Sequence, residues 1–85
     1  MSVIETMIDI PMEHEKNVCG QFDSYFKKIE RTLHVTMIER DGALKIIGPE
    51  QMVKRAKSVF NNLIQLSMRG NSITEQNVDY ALSLS

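Results

Sequence analysis

Two hydrophobic rhythms share this chain. From Val3 to Ile10 apolar and polar residues alternate, with Ile4, Thr6, Ile8 and Ile10 on one side, which predicts a strand ended by Pro11. The two-residue period returns over Val35 to Arg40 and again over Ala43 to Ile47. Between them lies Asp41-Gly42, a dipeptide that tolerates the positive φ of a two-residue hairpin turn. Elsewhere the period lengthens. Met52, Val53, Ala56, Val59, Phe60, Leu63 and Ile64 recur at helical spacing and predict a long helix, opened by Gly48-Pro49-Glu50 with the proline in its first turn and closed by Arg69-Gly70. Phe22, Phe26, Ile29 and Leu33 make a second stripe, placing a helix up to about Leu33 with Phe22 at the start of its buried side. Asp23 reads as the N-cap of that helix, its carboxylate accepting bonds from the first-turn amides. Met12 to Cys19 suits a helix of about two turns stopped by Gly20. Thr74 caps a last short helix whose Val78, Ala81 and Leu82 face inward, with Ile73 and Val78 placed as a hydrophobic staple.

The resulting order, β-α-α-β-β-α-α, predicts an α+β fold in which one small three-stranded sheet is covered on one face by helices. At 85 residues, positions 1–85 form a single domain with a small core. The composition, 42% hydrophobic and 25% charged, is that of a globular domain. No apolar run approaches the roughly 20 residues of a membrane span, and no leader pattern opens the chain, so a cytoplasmic protein is expected. Cys19 stands alone, which excludes an internal disulfide, and without a Cys/His cluster a structural zinc site is not expected. His14 and His34 have no second ligand at metal spacing, and the carboxylates form no acid-base pair. The expectation is a non-enzyme with neither cofactor nor metal.

Charge is unevenly spread. The net of -1 hides a middle segment, residues 16–57, in which nine cations face five anions, flanked by a first fifteen residues with four acids and no base. A shared face of those cations would attract a polyanion. The stretch that gathers them is Gly20-Gln21-Phe22-Asp23-Ser24, followed by Lys27, Lys28 and Arg31: a tight turn, a helix N-terminus and nearby cations can hold a phosphate. The same residues also suit a plain corner between two helices, with Gly20 as C-cap and the cations as a solvated face. Lys54, Arg55 and Lys57 lie on the outer side of the long helix and read as solubilising. Cys19 and the methionines read as core filling.

The initial β-α-turn-α-β-β-α order with a glycine in the helix-helix turn resembles a type I KH domain, the single-strand module whose GXXG loop clamps a sugar-phosphate backbone. A closer likeness is carried by Cys19-Gly20-Gln21-Phe22-Asp23-Ser24-Tyr25-Phe26-Lys27-Lys28-Ile29-Glu30, Leu33-His34-Val35, Ile47-Gly48-Pro49-Glu50, Ala56 and Ile73-Thr74-Glu75-Gln76-Asn77-Val78. Together these resemble the N-terminal domain of PhoH-like, phosphate-starvation-inducible proteins, seen as a divergent KH-like domain. The likeness runs from about Ile4 to Leu82 and implies a place in RNA metabolism beside a P-loop ATPase domain of a longer parent chain. The chain contains no G-x-x-x-x-G-K-[ST] segment, so ATPase activity is not carried over; an excised domain and a stand-alone version both fit.

The resemblance implies single-stranded RNA as partner, with Gly20, Gln21, Ser24, Lys27, Lys28 and Arg31 along the phosphates and Arg40, beside Met37 and Ile38, on the opposite wall. One departure stands out: Asp23 occupies the position of the second GXXG glycine and adds a Cβ and a negative charge. The rival expectation is a protein-interaction domain that positions an ATPase neighbour or forms a homo-oligomer. Negative potential beside the Gly20 turn would favour the rival.

Overall fold

The computed structural model describes residues 2–85. Strand β1 (Val3–Asp9) leads through a 3-10 turn at Met12–His14 into helix α1 (Glu15–Cys19), and a second 3-10 turn at Gln21–Asp23 leads into α2 (Ser24–Leu33). Strands β2 (Thr36–Arg40) and β3 (Ala43–Pro49) follow, then α3 (Glu50–Met68) and α4 (Glu75–Leu84). The α+β class and the element order are those the periodicities predict.

The sheet is antiparallel throughout, in the order β1-β3-β2, with Ile8 opposite Leu44 and Met37 opposite Ile46. This register lines up Ile8, Leu44, Ile46 and Met37 on one face, where they join Val18, Ile29, Leu33, Val53, Phe60 and Leu63 in a single buried cluster. The other face stays open. Val3, Met7 and Ile38 are exposed there, Val3 opposite Pro49 and both Met7 and Ile38 opposite Lys45. Alternation along the strands therefore writes the two faces directly, as expected for a sheet covered on one side.

The hairpin turn has φ of 54° at Asp41 and 83° at Gly42, the positive pair that two-residue hairpins need. All seven residues of the long-helix stripe are buried or half-buried. Pro49 sits one position earlier than expected: it ends β3 and serves as N-cap of α3, because its φ of -60° and ψ of 141° continue the strand. Thr74 accepts from the Asn77 amide (3.2 Å), and Asn77 Oδ1 accepts from the Thr74 amide (2.9 Å), so α4 opens with a capping box. Arg55 is not merely solubilising. It donates to Ser85 Oγ (3.1 Å) and to the Leu82 carbonyl (3.4 Å), tying the end of α4 to α3.

The α1 corner is fastened to the α3–α4 connection by one side chain. Asn17 Nδ2 donates to Ser67 Oγ and to the Asn71 carbonyl, both at 2.8 Å, and Asn17 Oδ1 accepts the Ile73 amide at 2.9 Å. Ser67, the buried polar residue of the core, also meets His14 Nδ1 at 2.7 Å. His14 is thus structural, held through a hydroxyl that already serves Asn17.

Candidate interaction site at the Gly20 turn

Helix α1 ends where Gly20 turns to φ 81° and ψ 169°, its amide donating to the Lys16 carbonyl at 2.9 Å. That region is open to glycine alone, and it lies outside the left-handed helical well expected of a C-cap. Tertiary packing makes the same demand. A Cβ on Gly20 would stand 2.7 Å from Tyr25 Cγ and Cδ2, and the Tyr25 hydroxyl donates to the Ile73 carbonyl at 3.1 Å. The turn rests on an anchored ring.

Phe22 (φ 55°) and Asp23 (φ 57°) are both left-handed, a conformation that costs a non-glycine residue about 1 to 2 kcal/mol. Two predictions fail here for one reason. Asp23 is the N-cap of α2 by position, but its side chain accepts no capping bond, because the left-handed backbone turns the carboxylate away from the first-turn amides. Phe22 does not begin the buried stripe. The same rotation lifts it off the helix face, and it is 85% exposed, the most exposed large apolar side chain among the described residues. Met12, at 79%, is next. Between the two lies a groove of about 430 Å³ lined by Glu13, Glu15, Lys16, Cys19, Gly20 and Asp23; Lys16, Gly20, Gln21 and Phe22 line another of about 460 Å³. A larger hollow of about 580 Å³, between Ser2 and the start of α3, has Glu50 as its ionisable group, and Lys54 already pairs with that carboxylate at 3.1 Å.

The groove is acidic. Burial raises the Glu15 carboxyl above its ordinary value, and the neighbouring Glu39 carboxylate raises it further, with smaller contributions from Asp23 and Asp41. These four carboxylates, from α1, the 3-10 turn, β2 and the hairpin, share one electrostatic neighbourhood. Glu39 also accepts the Gly42 amide at 3.0 Å, which holds it at the hairpin. Cys19 lies beneath them, its thiol pushed up to about 12 by burial and then by Asp23, Glu15 and Glu39. Among the described residues no group of His, Cys, Asp and Glu converges so as to hold a metal ion.

The residues expected along a phosphate backbone are only partly assembled. Gln21 and Ser24 are exposed beside Gly20, and Lys27 and Arg31 are exposed on the outer side of α2, with no ion-pair partner among the described residues. Lys28 is engaged. It bridges Glu75 (2.8 Å) and Asp79 on α4, and these bonds hold its ammonium above its usual range. Arg40 is on the other side of the sheet: it pairs with Ala43 and alternates with buried Met37 and half-buried Glu39, which puts it with Ile38 on the open face. The wall toward the helices carries Glu39 instead. Sequence reasoning missed this carboxylate cluster, although the odd positions of β2 were legible as the core-facing set.

Three antiparallel strands under four helices, with an exposed aromatic beside an acidic groove and, among the described residues, no helix long and apolar enough to cross a membrane, describe a small α+β domain. No family model matches the chain. It is 26% identical over 81 residues to PhoH-like proteins of Mycobacterium bovis and Mycobacterium tuberculosis, a match that covers 95% of this chain and 23% of theirs. The chain thus spans about a quarter of the length of the curated relatives it matches, and the likeness supports a relation to PhoH-like proteins.

Proposed function

We propose that the chain is an accessory interaction domain of a PhoH-like protein, without a reaction of its own, and that the Gly20 turn is a protein-docking surface. The observation that carries this reading is Phe22. A bulky apolar side chain held 85% exposed by two consecutive left-handed residues is presented, at a conformational cost, where a buried stripe was open to it. Its surroundings repel phosphate. Asp23, Glu15 and Glu39 border the place that a sugar-phosphate backbone would occupy in a KH-like groove. The obvious neighbour, given the relatives' greater length, is the remainder of a PhoH-like chain.

A second reading, single-stranded RNA, is favoured by Lys27 and Arg31, both exposed and without a paired carboxylate, and by Phe22 itself. An exposed aromatic can stack a base, worth about 1 to 3 kcal/mol. On this reading the strand follows the outer side of α2 and avoids the groove. Titrating the ¹⁵N-labelled domain with a short oligouridylate and, separately, with the ATPase region of a PhoH-like protein separates the two. Amide shifts at 12–23 with the protein and none with RNA at low salt are expected. Salt-sensitive shifts over 20–31 with RNA alone would replace the docking reading by the RNA one.

A further inference from the structure

We propose that the groove between Met12 and Phe22 takes a basic protein segment carrying one bulky apolar side chain, the apolar group seated between the two exposed side chains and the cations on the surrounding carboxylates. This rests on the docking reading above and adds the chemistry of the partner. Two independent features fix it. Phe22 and Met12 are the two most exposed large apolar residues among those described, they border the same hollow, and its 430 Å³ is room for one side chain of leucine or phenylalanine size with part of its backbone. Around it, Glu13, Glu15 and Asp23 face a lone cation, Lys16, and Glu39 and Asp41 stand within electrostatic range of Glu15. Lys27 and Arg31 are unpaired but stand on the outer side of α2 and do not line the hollow, and the other nearby cations are engaged or on another face. Lys28 belongs to Glu75 and Asp79, Lys45 pairs with Glu5 at 3.9 Å, and Arg40 is on the open face of the sheet. Burial first, and then the charge of Glu39, raise the Glu15 carboxyl, and a bound lysine or arginine relieves the second of these.

The test uses three twelve-residue peptides with the same single central leucine, the remaining positions being mainly Lys/Arg, Ser/Gln or Glu, titrated into the ¹⁵N-labelled domain at 50 mM and 300 mM salt, with an oligouridylate in parallel. The basic peptide is expected to shift amides of residues 12–23 and 39–42, to bind at least tenfold more tightly than the neutral one, and to weaken severalfold at the higher salt. Phe22→Ala is expected to weaken it about tenfold and Glu39→Gln about threefold, with the rest of the spectrum unchanged. Equal binding of neutral and basic peptides in the groove would overturn the basic partner while leaving apolar docking in place. Shifts with the oligouridylate and none with any peptide would overturn both, and silence from every ligand would overturn the proposal.

Discussion

Replacing Gly20 by alanine tests the central feature of the domain, a turn that both its backbone and its neighbours reserve for glycine. The backbone part follows from φ 81° and ψ 169°, a region that costs an L-residue about 1 to 3 kcal/mol. The steric part follows from the 2.7 Å approach of the new Cβ to the Tyr25 ring. Ser24 Oγ, at 2.9 Å, is on an exposed side chain and can rotate aside. Tyr25 cannot retreat without losing its bond to the Ile73 carbonyl, so overpacking adds about 1 to 3 kcal/mol. The sum, about 2 to 6 kcal/mol, is a large part of the 4 to 13 kcal/mol, roughly, that a chain of 85 residues can be expected to have. Urea unfolding of the wild type, Gly20→Ala, Tyr25→Ala and the double variant measures both parts, because removing the ring should leave only the backbone cost. A loss of at least about 2 kcal/mol for Gly20→Ala is expected, with about 1 kcal/mol or more of coupling to Tyr25. A loss below about 1 kcal/mol, or none of it shared with Tyr25, would refute the account of the turn.

Asn17→Ala removes three hydrogen bonds and leaves the Ile73 amide unsatisfied, so it should cost about 2 to 3 kcal/mol in the same assay. Glu15 predicts a pH effect. Its carboxyl is higher in the folded chain than its ordinary 4.5, so between those two values the folded state holds the extra proton and stability falls as pH rises. Glu15→Gln should accordingly be the more stable protein near neutral pH, with the difference vanishing below its ordinary value; the reverse order would contradict the carboxylate cluster. Cys19, buried and raised to about 12, should resist iodoacetamide at mildly alkaline pH until the domain unfolds, and rapid labelling of the native protein would show that the thiol is not enclosed.

Much of this protein is determined locally. Alternation named all three strands and, for the first, which side meets the core, Asp41-Gly42 specified the hairpin, and the seven-residue stripe of α3 and the Thr74 cap stood where the structure has them. Those signals depend on a residue and its near neighbours, through pleat, helical period and turn dihedrals. The Gly20 turn is different. Spacing alone put Phe22 in the stripe of α2 and Asp23 in a capping bond, since both follow if the helix begins cleanly. What places them otherwise is the Tyr25 ring held by Ile73 and the Asn17 clamp across more than fifty residues, which dictate how α1 must hand over to α2. Likewise, the meeting of Glu15, Asp23, Glu39 and Asp41 joins four separate elements, and the removal of Lys28 and Arg40 from their company depends on α4 and on strand register. Charge summed along the chain pointed to a basic centre. Only folding shows that the surface beside the turn is acidic, because electrostatics acts through distances in space that sequence order does not contain.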